Sequence, residues 1–179
     1  RGLGDVYKRQ INAGEDVLFV DEEALKTYLD ALGGSSLADF RALYSSMKAE
    51  NTTEIKRHVQ TVQEEWASRG VTFRENERIR LITVFFHDKP TEEESLLFVG
   101  HVGVLLTAKD GTLYFVEKVA FQEPYRMLRF VDRTALSDYL MGKYDTSWGQ
   151  DTASPFIMEN DELMDGWRPN PDSGSSALD

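Results

Sequence analysis

The stretch Phe98–Tyr125, FVGHVGVLLTAKDGTLYFVEKVAFQEPY, constrains the fold of this chain more than any other. Two apolar, β-branched runs, Leu96–Thr107 and Leu113–Val119, flank a Lys109-Asp110-Gly111 turn, the pattern of a β-hairpin. One histidine, His101, sits early in the first run between Gly100 and Gly103, glycines that read as a bulge or a close packing contact. The turn allows two registers. A two-residue Asp110-Gly111 turn pairs Lys109 with Thr112 and sets His101 opposite Ala120, so Lys118 shares its face and Glu117 points away. A three-residue loop with Gly111 in the left-handed position pairs Ala108 with Thr112 and sets His101 opposite Val119. Glu117 is then diagonal to His101 on the same face. The second register is favoured because it puts Leu113, Phe115 and Glu117 on one face and leaves Lys118 on the other.

Upstream, the apolar period is that of helices. Asp21 is placed to cap a helix carrying Leu25, Tyr28, Leu29 and Leu32, ended by Gly33-Gly34. Ser36 is placed to cap a second, with Leu37, Phe40, Leu43, Tyr44 and Met47 on one face. Asn51 and Glu54 have the form of a capping box opening a helix to about Arg69, with Ile55, Val59, Val62 and Trp66 inward and Gly70 as its stop. His58, between Arg57 and Val59, reads as a surface residue. The period then changes to two. Ile79–Phe86 predicts a central strand, His87 and Asp88 a polar connection, and Tyr125–Val131 a fourth strand. Asp132 caps a last helix with Leu136, Tyr139, Leu140 and Tyr144 on its inner face. The expected fold is α+β, with N-terminal helices packed on an antiparallel sheet of about four strands. One domain spans 11–165. The tail from Gly166 is too poor in apolar residues to order itself, although Trp167 is able to dock.

Composition excludes several function classes. The net charge of −11 opposes binding to nucleic acid, which needs clustered Lys and Arg. No apolar run reaches the ~20 residues that cross a bilayer. The chain has no cysteine, which removes disulfides and thiolate zinc sites. His87-Asp88 with His101 lacks the spacing of a zinc site, and neither metal nor cofactor is expected. Arg1–Gln10, RGLGDVYKRQ, is the codon-for-codon translation of the adapter used in transposase-based sequencing libraries, so these residues are set aside as non-native. On that reading the chain is a fragment that lacks its natural start.

The segments HVGVLL (His101–Leu106), VEKVAFQEPY (Val116–Tyr125), YLMGKYDTSWGQ (Tyr139–Gln150) and PFIMENDEL (Pro155–Leu163) resemble, in order, a bacterial family known as domain of unknown function 4300. The resemblance covers nearly all of 11–171 and implies an exported or lipid-anchored protein without assigned chemistry. A shorter resemblance, in His101-Val-Gly-Val-Leu, the hairpin and Phe115-Val116-Glu117, is to NlpC-type cysteine peptidases. It implies a papain-like core in which His101 is the base and Glu117 its orienting group. The family resemblance further implies an Asn-Cys-Arg tripeptide just before Ile11, whose thiol stands upstream of the helices as a nucleophile. In that reading Gln150, Trp148 and Gln122 contact substrate, with Asp145 a further candidate for the cleft wall, and the substrate is a cell-wall peptide or protein. The bland alternatives are a packed turn at Trp148-Gly149-Gln150, a strand corner at Gln122-Glu-Pro-Tyr125 and a structural histidine. Two functions follow. One is a cysteine hydrolase of peptide or amide bonds, inactive as this fragment. The other is a non-catalytic binding or structural lipoprotein domain of the same fold.

Overall fold

The structure is a computed structural model that describes residues 37–74, 76–120, 122–146 and 151–170. The adapter-like stretch, the helix expected after Asp21, Ser36, and both Trp148 and Gln150 lie outside the described residues. In chain order the described elements are α1 (Leu37–Tyr44), β1 (Met47–Lys48), α2 (Ile55–Ser68), β2 (Ile79–Asp88), β3 (Leu96–Thr107), β4 (Leu113–Glu117), β5 (Arg126–Phe130), α3 (Arg133–Tyr144), β6 (Phe156–Glu159) and β7 (Glu162–Leu163). The strands form one sheet in the order β5-β4-β3-β2-β6-β7, and β1 pairs with the start of β3. Every pairing is antiparallel.

The α+β class agrees with the sequence pattern, but the sheet has seven strands rather than four. The three unforeseen strands have physical reasons to be silent. β1 and β7 hold two residues each, too few to show a period. In β6, Phe156, Ile157 and Met158 are all buried, so the run does not alternate. Met47, expected to continue a helix, instead pairs with Leu97 as β1 and is 1% exposed.

The sheet separates two apolar clusters. On one face Ile82, Val84, Leu105, Phe115 and Ile157 pack against Leu136, Leu140 and Met141 of α3. On the other, Phe85, Leu97, Phe156 and Met158 pack against Val62 and Trp66 of α2, with Leu43 of α1 alongside. Consecutive residues of β2 therefore serve opposite clusters, as a central strand must. Trp167 packs against both clusters.

Local signals succeed where one side chain decides the backbone. The Asp132 carboxylate accepts the Ala135 N–H at 2.8 Å and starts α3. Gly70, with φ of +73°, follows the end of α2. The Asn51–Glu54 box does not form. Glu54 itself is the N-cap of α2, without a side-chain cap bond, and its N–H donates to Thr52 Oγ1 at 3.2 Å. Residues His87 and Asp88 complete β2, paired with Leu97 and Leu96, rather than opening a loop. The first five residues of the expected tail are described: Trp167 docks, Arg168 pairs with Asp138 at 2.6 Å, and the Asn170 N–H donates to Asp145 at 2.7 Å.

Candidate active site

The hairpin takes the three-residue register. Thr107 pairs with Leu113 and Gly103 with Glu117, and the Ala108 N–H donates to the Thr112 carbonyl at 2.9 Å. Gly111 has φ of +86°, which a β-carbon would resist. Leu113, Phe115 and Glu117 thus share one buried face.

A bulge in β3 finishes the placement. Val84 pairs with His101 but Phe85 pairs with Val99, so Gly100 is an extra residue in the ladder. The extra residue reverses the alternation. Leu97 and Val99 pack on the α2 side, whereas Leu105 joins the α3 side and His101 lies against Tyr144 and Phe115 there. Both flanking glycines have steric work as well. A β-carbon at Gly100 would overlap the Phe86 ring, and one at Gly103 would overlap the Phe115 ring.

His101 and Glu117 meet on that face. Nε2 of His101 lies 2.6 Å from Glu117 Oε2. An ionised carboxylate only accepts, so Nε2 carries the proton and Nδ1 holds the lone pair. Among the described residues Nδ1 forms no hydrogen bond. The histidine is 8% exposed and the glutamate 1%. Glu117 Oε1 accepts from Arg126 Nε at 2.8 Å and from the Tyr139 hydroxyl. Lys143 Nζ donates to the Tyr139 oxygen at 2.6 Å and stands 3.8 Å from Oε1.

Burial pushes the Glu117 carboxyl up, but the hydrogen bonds from Tyr139, Arg126 and His101 outweigh it and hold the group below the usual carboxylate range. Burial pushes the His101 imidazole down, and the charges of Lys143 and Arg126 act with it. Together they exceed the upward pull of Glu117. The pair therefore exists as carboxylate and neutral imidazole. Tyr144, half-buried beside the ring at a centroid distance of 5.1 Å, is pushed up to about 12, chiefly by burial, and stays a phenol.

Residues 6–164 match the sequence profile of a family described as domain of unknown function DUF4300. The chain belongs to that family. No curated protein and no solved structure matches it.

Of the other candidate residues of this DUF4300 chain, Gln122 and Asp145 are among those described. Gln122 is exposed in the turn after β4, and Trp148 and Gln150 are outside the described residues. Asp145 is 4% exposed and accepts from the Asn170 backbone, so it anchors the chain after α3.

His58 is not on the surface. It is 0% exposed, with its ring 4.5 Å from that of His87. Its Nε2–H donates to the Thr52 carbonyl at 2.7 Å. His87 Nδ1 accepts the Ala153 N–H at 2.9 Å, which forces the proton to Nε2, and Nε2 donates to Ser95 Oγ at 2.8 Å. Ser95 Oγ–H donates to the Glu50 carbonyl at 3.1 Å. With the lone pair of His87 already used, this serine–histidine contact has no base in it. His87 lies on the α2 face and His101 on the α3 face, so no metal joins them. Among the described residues no group of three or more His, Cys, Asp or Glu is placed to hold a metal ion.

Sequence reasoning missed three members of the Glu117 cluster. Arg126 is the register partner of Glu117 across β4 and β5. Tyr139 and Lys143 are one helical turn apart on α3, a spacing that sets two side chains on one stripe. Tyr139 reads as core in the sequence because its ring packs against the core, while its hydroxyl reaches Glu117.

Proposed function

We propose that this domain is the base-bearing part of a thiol-dependent hydrolase of peptide or amide bonds, papain-like in its core, from an exported bacterial protein that acts on cell-wall peptides. The observation that carries the reading is the 2.6 Å bond from His101 Nε2 to a buried carboxylate, with Nδ1 left as the only lone pair on the ring. That is the requirement for an oriented general base. In the reaction a thiol gives its proton to Nδ1, and the thiolate adds to the carbonyl carbon. The imidazolium then returns the proton to the leaving nitrogen as the C–N bond breaks. Water, deprotonated at the same Nδ1, cleaves the thioester. The sulfur comes from the segment that the family resemblance implies before Ile11, because this chain has no cysteine. Gln122, Trp148 and Gln150 remain the candidates for substrate contact.

One observation favours the non-catalytic lipoprotein domain instead. His101 is 8% exposed, and its network ties α3 to three strands, as a structural cluster does. A thiol-directed probe applied to the uninterrupted gene product decides between them. The hydrolase reading expects labelling of the tripeptide cysteine, slowed at least tenfold by His101→Ala, while this cysteine-free chain is inert. No labelling, or labelling indifferent to His101, leaves the binding domain. The same gene is expected to carry an export signal ahead of the tripeptide.

A further inference from the structure

Glu117 has more donors than the orientation of one imidazole needs. Oε2 serves His101 alone, at 2.6 Å. Oε1 takes Arg126 Nε at 2.8 Å and the Tyr139 hydroxyl. The Tyr139 oxygen in turn accepts from Lys143 Nζ at 2.6 Å and from Arg126 Nη2. A phenol has one proton and two lone pairs. With a cationic donor on each lone pair, the proton has one direction left, toward Glu117. The cluster is also electrostatically loaded: Arg126 and Lys143 outweigh Glu117 by one positive charge while the imidazole is neutral, inside a chain of net charge −11.

We propose that Tyr139, Lys143 and Arg126 are positioning residues for the His101–Glu117 pair: Arg126 and Tyr139 occupy Oε1, and Lys143 holds the Tyr139 oxygen, so that Oε2 is the single acceptor fixing the imidazole as its Nε2–H tautomer. The inference rests on the reading of His101 as a base, and it makes the docking of α3 the control on that base. The charged and titratable groups facing His101 are Glu117 from β4, Arg126 from β5, and Tyr139, Lys143 and Tyr144 from α3. Without the Tyr139 hydroxyl or the Lys143 charge, Glu117 has more of its negative charge to give to an imidazolium. Oε1 is also released to compete with Oε2 for the ring. The neutral, single-tautomer histidine then gives way to one that protonates more readily.

The test uses the 179-residue chain itself, labelled with nitrogen-15 in histidine. Long-range proton–nitrogen spectra are recorded from pH 4 to 9, with His101 assigned by difference against His101→Gln. The native chain is expected to show one neutral Nε2–H tautomer at pH 7. Tyr139→Phe and Lys143→Met are expected to raise the His101 titration midpoint and mix in the second tautomer. Lys143 is about one-third exposed at 32%, so its variant folds even if Tyr139→Phe does not. A merely structural role lowers the melting temperature and leaves the tautomer and midpoint untouched; folded variants with that result overturn the inference. The hydrolase reading fails separately. A silent thiol probe on the whole protein, alongside a tautomer that responds to Lys143→Met, removes the reaction and keeps the positioning. Labelling that depends on His101 but keeps the native pH profile in Lys143→Met removes the positioning and keeps the reaction.

Discussion

Acidification from pH 7 to pH 4 is expected to strip about 3 kcal/mol of stability from this domain through His87 alone. The ring is 6% exposed, its Nδ1 lone pair is occupied by the Ala153 N–H, and its Nε2–H is spent on Ser95. A proton at Nδ1 must break the Ala153 bond and place a cation 4.5 Å from the His58 ring. Burial first, then the charges of His58 and Lys89, lower the group from 6.5 to about 4, against the weaker pull of Asp88 and Asp151. Because the folded value lies below the unfolded one, the unfolded chain takes up a proton that the folded chain refuses. Stability is therefore complete above pH 6.5, falls as pH drops toward about 4, and levels off once the folded ring is itself protonated below that. A span of about 2.5 pH units at about 1.4 kcal/mol each gives about 3.5 kcal/mol in full, of which about 3 kcal/mol is lost by pH 4, where the folded ring is half protonated. Against a typical ~5–15 kcal/mol for a domain, the loss is large. His58, lowered chiefly by burial, adds in the same direction. Urea unfolding followed by tryptophan fluorescence across this range measures it. The control is His87→Asn, whose side-chain oxygen can still accept the Ala153 N–H. The native chain should lose about 3 kcal/mol more than the variant between pH 7 and pH 4. Parallel curves for the two proteins would refute the reasoning.

Three further outcomes are expected. Glu117→Gln leaves Arg126 and Lys143 facing an uncharged amide in a 1% exposed site, and should cost about 3–5 kcal/mol in chemical unfolding; a loss under ~1 kcal/mol would mean that the network is not tightly held. Gly100→Ala drives a methyl into the Phe86 ring and should cost about 1–3 kcal/mol, partly recovered by Phe86→Leu in the same chain. Absence of recovery would shift the cause to the bulge backbone. Asp132→Ala removes the cap of α3 and should cost about 1 kcal/mol in thermal unfolding, with an unchanged melt as the contrary result.

The hairpin was legible because the choice between two turns moves every side chain of β4 to one face or the other. Burial then favours the register that keeps Leu113 and Phe115 inside. Glu117 follows from that choice, which is why the His101–Glu117 pair is legible in the sequence. Arg126 could not, since its partnership runs through the pairing of β4 with β5 and the corner between them carries no register signal. The burial of His58 has a clue in the sequence that the surface reading overlooks. His58 precedes Val62 and Trp66 by four and eight residues, on the stripe that α2 buries. Its charged neighbour Arg57 masked the period. The short strands were illegible for the opposite reason, being two residues long or buried on both sides.

The position of Trp167 bears on how the domain comes apart. Two apolar layers divided by a sheet have no intrinsic need to melt together, and left to themselves each keeps its own transition temperature. One indole lodged against both layers links their fates. Calorimetric and van't Hoff enthalpies should then coincide for the intact chain, and shortening it to end before Gly166 should split a single heat-absorption peak into two.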